Sequence, residues 1–154
     1  MSLSEFSTRA AQQAAAEGQL EPWLYRYLQA GAWANLGLLT GLQRKRRWWL
    51  GPLEIELNRL SRCCGPEPGM EYPVPVEAWD RNTSALAEHL SDALEIPPLI
   101  VMYDQGRLSV RDGNHRHEAM RRKGWRACWV VIWHNSLEEF EAGKEVWKRD
   151  ARLW

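Results

Sequence analysis

The chain has 154 residues, and its 20 basic and 20 acidic side chains balance to zero net charge. That length supports one domain with a substantial core, and the even charge argues against both a disordered polymer and a strongly basic nucleic-acid binder. No apolar run reaches the roughly 18 residues of a membrane span, no leader pattern opens the chain, and the cysteines form neither a disulfide framework nor a zinc spacing.

A reduced, cytoplasmic protein with no membrane partner is therefore expected. Residues 5–17 are rich in Ala and Gln and favour a helix, which Gly18 ends. A second helix is predicted from Glu21 and Pro22, with Trp23, Leu24, Tyr27 and Leu28 on one stripe. A third helical segment over residues 33–49 carries Leu36, Leu39 and Leu42, is weakened by Gly37 and Gly41, and ends before Gly51 and Pro52. Residues 1–52 thus read as a helical extension packed on a unit formed by residues 53–154.

Within that unit, Leu53, Ile55 and Leu57 alternate with Glu54, Glu56 and Asn58, the pattern of a half-buried strand. The Pro- and Gly-rich stretch 63–75 reads as a loop, and 76–93 as a helix with Trp79, Leu86 and Leu90 on one side. Residues 98–110 read as a hairpin turning at Asp104, Gln105 and Gly106. A helix over 114–123 stops at Gly124, and an apolar strand covers 126–133. Ser136 and Glu139 then form a capping-box pattern that opens a last helix. The ten tryptophans, Trp48, Trp49, Trp129 and Trp133 among them, suit packing or self-association ahead of ligand stacking.

The string Asp112-Gly113-Asn114-His115-Arg116-His117-Glu118-Ala119 joins the second hairpin strand to the next helix. A glycine turn at a helix start gathers free backbone N–H groups and a partial positive dipole, which suits a phosphate. Gly113 permits a positive φ and close ligand approach, and the Arg116 fork matches phosphate oxygens. His115 stands at the first turn, either donating to phosphate and moving a proton, or held as a neutral ring by backbone. Asp112 either recruits hydrated Mg²⁺ or acts as a base, or bonds the backbone of its own turn. Gly113, Asn114, His115 and Arg116 are thus the candidate phosphate-binding residues, with His115 and Asp112 the candidate catalytic groups. Asn114, His117 and His134 lack a metal spacing, and no metal site is expected. The run Arg44-Lys45-Arg46-Arg47-Trp48-Trp49 mixes basic and aromatic residues as single-strand binders do, but reads better as the cationic end of a helix.

The segment Gly113-Asn114-His115-Arg116-His117-Glu118-Ala119 resembles the signature of the ParB/sulfiredoxin-like superfamily. Two flanking pieces agree: Ala85-Leu86-Ala87-Glu88-His89-Leu90 followed by Ile96-Pro97-Pro98-Leu99-Ile100-Val101, and Ala127-Cys128-Trp129-Val130-Val131-Ile132. The resemblance implies an α/β (α+β) domain with a small mixed sheet and flanking helices, and a phosphate contact for Arg116. It implies a nucleotide (ATP or CTP) or a phosphorylated small molecule as ligand, with Mg²⁺, and a nucleotide hydrolase or small-molecule kinase as the activity.

This chain departs from the family pattern in places. Asn114 stands where sulfiredoxins carry their Cys, so their thiol chemistry is not expected. Asn114-His115-Arg116 then Glu118 replaces the Glu-Arg-Arg run of the ParB clamps. The roughly twenty residues after the last strand leave no room for a helix-turn-helix module, so a stand-alone member is expected. Glu54, Glu56 and Glu71 are expected across from the signature, with no general base assigned among them. The alternative reading is a non-catalytic adaptor for DNA or a protein partner, working as a homodimer; a nuclease is the weaker option.

Overall fold

A computed structural model describes residues 5–150, with side chains to residue 147. Helices α1 (Thr8–Ala16), α2 (Leu20–Tyr27) and α3 (Leu36–Leu42) come first, with a 3₁₀ turn at Gly31–Trp33. Strand β1 (Trp48–Glu56), the short strands β2 (Ser61–Arg62), β3 (Cys64–Gly65) and β4 (Tyr72–Pro73), and helix α4 (Val76–His89) follow. Strands β5 (Leu99–Asp104) and β6 (Arg107–Asp112), helix α5 (Asn114–Arg122), strand β7 (Ala127–His134) and helix α6 (Leu137–Asp150) complete the order.

The main sheet is five-stranded, in the order β1-β7-β5-β6-β2. Pairings β1/β7 and β5/β6 are antiparallel, while β5/β7 and β2/β6 are parallel. The sheet is mixed, as the resemblance implied. The β5–β6 hairpin closes through Gln105 (φ 51°) and Gly106 (φ 86°), the two left-handed residues that match strand twist in a two-residue turn.

Strand β5 is covered on both faces, which explains its unbroken apolar run: Leu99, Ile100 and Val101 are all fully buried. Each contributes about 2 kcal/mol by leaving water. On one face Leu99 and Val101 join Val110, Met120, Val130, Ile132 and Trp147 beneath the later helices. On the other, Ile100, Val131 and Trp133 meet Trp23, Leu24, Tyr27, Leu28 and Leu42 of the N-terminal helices. The N-terminal helices therefore cover the centre of this face of the sheet, over β5 and β7. Thr8 ties them down, donating through both N and Oγ1 to Ile96 O at 2.8 and 2.9 Å.

Three segments differ from the sequence expectation. The first helix starts at Thr8, because the Ser7 side chain caps it by accepting from Ala10 N. The helix expected over 33–49 breaks into a 3₁₀ turn and α3, and Trp48 and Trp49 instead open β1 opposite His134 and Trp133. Two glycines weaken the helix, while pairing with β7 rewards extended aromatics. Strand β1 thus begins before Gly51 and crosses it through a bulge between Leu50 and Leu53. The proline-rich stretch is not wholly irregular either, since β3 and β4 pair in parallel. Half of the expected capping box is present: Ser136 Oγ accepts from Glu139 N at 3.1 Å, while Glu139 Oε1 accepts from Asn135 N instead of the Ser136 amide.

Candidate functional site

Strand β6 ends at Asp112, Gly113 turns the chain, and α5 begins at Asn114. Gly113 has φ 99° and ψ 24°, a left-handed conformation, and no side chain caps the helix it opens. An added Cβ there would overlap Leu99 Cδ2 and lie 2.9 Å from Arg116 Nη2. Both backbone and packing therefore require glycine. The turn presents uncapped first-turn amides at the positive end of a nine-residue helix.

The side chains beside the turn have divided tasks. Asn114 ties the turn to the cysteine segment: its Oδ1 accepts from Cys63 N (3.0 Å) and Cys64 N (3.4 Å), and its Nδ2 donates to Val110 O. Asp112 accepts from Tyr27 Oη at 2.7 Å through Oδ2 and from Asn35 Nδ2 at 3.2 Å through Oδ1. Both of its oxygens thus anchor the N-terminal helices to the turn. Arg116 is 4% exposed and reaches inward rather than into the open. Its Nη1 donates to Tyr27 Oη at 3.0 Å, and its Nη2 lies 3.4 Å from Asp112 Oδ2 and from Pro98 O. The guanidinium also sits 5.1 Å over the Trp33 ring. Burial opposes its charge, but Tyr27 and Asp112 together hold its pKa above the ordinary value. Burial likewise pushes the Tyr27 phenol well up, keeping it a donor.

The His115 ring is half-buried and stacks, tilted, on Trp79 at 4.4 Å between centroids. The Arg62 guanidinium lies 4.8 Å from the same indole. Burial first, and Arg62 second, lower the His115 pKa, so the ring is neutral near pH 7. Its Nε2 is shielded and has no partner within the protein. The backbone-bound alternative expected for this histidine is not what the structure shows.

A cleft of about 930 Å³ opens in front of the turn, a size suited to a small organic ligand. Residues 112–115 form one wall, α3 another, and Arg44, Lys45 and Arg111 line it as well. Arg116 is not among its lining residues. Arg111 pairs with Glu71 at 3.0 Å. Burial opposes the Arg111 charge, but Glu71 holds its pKa up. Arg47 also lines the cleft but is engaged: it donates to Gly41 O (2.8 Å), Leu42 O (3.2 Å) and Asn135 Oδ1. Arg44 and Lys45 are exposed at the rim. Sequence reasoning treated that basic run as a helix end and missed its convergence on the signature turn. The basic-aromatic composition was the available signal.

Other expectations find different places. His117 Nε2 bonds Leu57 O at 3.1 Å, and His134 Nδ1 bonds Trp48 O at 3.2 Å, so neither joins Asn114. Among the described residues, no group of three His, Cys, Asp or Glu side chains is placed to hold a metal ion. Glu54 and Glu56 do not lie across from the signature, because β7 and β5 separate their strand from β6; Glu71 alone approaches it, through Arg111. Burial raises the Cys64 thiol, with Cys63 adding, and pushes Cys128 up to about 12. Neither is an activated nucleophile.

No family model matches the chain, and no curated protein matches it. Among solved structures it is similar to sulfiredoxin from Arabidopsis thaliana at 18% identity and a TM-score of 0.35, covering 69% of this chain and 99% of that one. It is also similar to the C-terminally truncated chromosome-partitioning protein ParB from Caulobacter crescentus complexed with CTP-gamma-S. There the identity is 18%, the TM-score 0.36, and the match covers 71% of this chain and 56% of that one. These are likenesses of fold at low score.

Proposed function

We propose that the cleft binds a phosphorylated small molecule, a nucleotide foremost, with its phosphates at the signature turn. The observation that carries this reading is convergence. The uncapped start of α5, Arg111, and the rim cations Arg44 and Lys45 surround one cleft of ligand size. Backbone amides with fixed direction position an anion, and nearby cations neutralise it. In this reading Arg111, Arg44 and Lys45 supply the direct cationic contacts. Arg116 acts beneath the turn, holding Asp112 and Tyr27 so that Gly113 keeps its conformation. Asn114 contributes its backbone, since its side chain holds the cysteine segment.

In this reading His115 moves a proton should the bound phosphate turn over; the support is its neutral, half-buried ring in the cleft wall. Asp112 serves in this reading as an anchor, its oxygens accepting from Tyr27 and Asn35 and its charge paired with Arg116. Any Mg²⁺ would arrive on the phosphates of the ligand itself.

The test is calorimetric titration of ATP, CTP, ADP and inorganic phosphate, with and without Mg²⁺, on wild type and Arg111→Met. Saturable binding weakened by the substitution is expected. A folded wild-type protein that binds none of the four would overturn the reading and leave the adaptor for DNA or a protein partner in its place.

A further inference from the structure

The cleft is not basic throughout. Its wall on α3 carries Gly37 and Gly41, one turn apart, and both line the cavity. An added Cβ at either position would meet no heavy atom within 4 Å. Neither glycine has a positive φ. Packing and backbone conformation therefore do not demand glycine at these two sites, although glycine is a poor helix former. What their small size does is keep the space in front of α3 clear.

A second, independent observation lies on the sheet. Trp133 lines the same cleft, is 5% exposed, and has a buried Nε1 with no acceptor in the protein. Buried indole N–H groups ordinarily find a partner. Its neighbour across the β5/β7 pairing, Met102, also lines the cleft and offers a polarisable apolar surface. Arg44 and Lys45, both exposed, line the same cavity as this apolar surface and the turn.

We propose that the chamber between the glycine face of α3 and the Trp133 and Met102 floor is a subsite for a planar ring bearing a hydrogen-bond acceptor. The ring is the base of the nucleotide whose phosphates sit at the turn, so this inference rests on the phosphate reading. Gly41 gives the ring clearance, Met102 packs on it, and Trp133 Nε1 donates to a ring oxygen or nitrogen. Trp133 and Gly41 are then the determinants that separate a nucleotide from a bare phosphate. This places specificity on α3 and β7 rather than on the signature itself.

The experiment compares inorganic pyrophosphate with ATP and CTP by calorimetry, on wild type, Gly41→Leu and Trp133→Phe, with thermal melts to confirm folding. Wild type is expected to bind a nucleotide more tightly than pyrophosphate. Gly41→Leu fills the chamber and should weaken nucleotide binding on the order of tenfold or more while leaving pyrophosphate unchanged. Trp133→Phe removes the donor together with the pyrrole half of the indole, and should weaken nucleotide binding on the order of tenfold, again sparing pyrophosphate. Nucleotide affinity unchanged in both folded variants would overturn the subsite, as would a wild type that binds nucleotides no better than pyrophosphate. In either case pyrophosphate binding would survive and the phosphate site would stand. A wild type that binds neither probe would remove both.

Discussion

The Tyr27 hydroxyl and the Asp112 carboxylate, 85 positions apart, meet at 2.7 Å. That bond joins the N-terminal helices to the signature turn, and the same hydroxyl accepts from Arg116 at 3.0 Å. A buried phenol and guanidinium and a partly buried carboxylate thus pair with one another beneath Gly113, while Arg116 Nε keeps no partner in the protein. The arrangement makes the helical extension part of the site.

Arg116→Ala is therefore expected to act on stability before it acts on binding. It removes the cation that accompanies the Asp112 carboxylate, whose side chain is itself only 12% exposed. Breaking such a pair from one side costs about 3 kcal/mol. Urea unfolding should show a clear fall in midpoint with an unchanged slope. An unchanged midpoint together with lost phosphate binding would return Arg116 to direct contact with the ligand.

Gly113→Ala tests the turn itself. The new methyl would overlap Leu99, a fully buried residue of β5, in a backbone conformation that L side chains rarely adopt. A loss of about 2 kcal/mol is expected from the combined strain and overpacking. Gly124→Ala is the matched control, since its φ is also positive at 82° but the added atom meets nothing within 4 Å. It should lose only the conformational part, about 1 kcal/mol. Equal losses for the two variants would show that packing against Leu99 contributes nothing.

Much of this architecture is legible in the sequence because it is local. The positive φ of Gly113, the hairpin at Gln105 and Gly106, and the capping of α6 by Ser136 each follow from residues a few positions apart. The alternation over Leu53 and Ile55 likewise reports a strand with one face inward. What could not be read depends on partners far along the chain. Trp48 and Trp49 become strand only because His134 and Trp133 lie opposite. Arg116 turns inward only because α2 brings Tyr27 and the following turn brings Trp33 beneath it. Nothing in the string around residue 113 announces either partner. The same long-range packing carries Arg44 and Lys45 to the cleft.

Stability should fall on mild acidification, for a reason that lies in three histidines. Burial is the leading cause of a lowered pKa at His115, His117 and His134, while Arg62 also disfavours the cation at the first two. The folded state therefore takes up protons at lower pH than the unfolded chain, whose histidines titrate near about 6.5. Between those values the unfolded chain holds more protons. Stability from this source is complete above about pH 6.5 and declines as pH falls through the folded values. Urea midpoints at pH 7.5, 6.5 and 5.5 should decrease in that order. A flat series would remove the histidines from the account, because Glu118, held down to about 2 chiefly by its bond to Arg121, does not titrate in that window.

The rim cations give a prediction that separates binding from folding. Arg44 and Lys45 are exposed and line the cleft beside the start of α5. Their double replacement by Ala leaves the core of α3 intact and should change the unfolding free energy by less than about 0.5 kcal/mol. If they neutralise ligand phosphates, the same variant should weaken nucleotide binding on the order of tenfold, and its affinity should fall less steeply with added salt than that of wild type. Parallel salt dependence in the two proteins would show that these residues never approach the anion. The phosphates would then be held by Arg111 and the backbone of the turn alone.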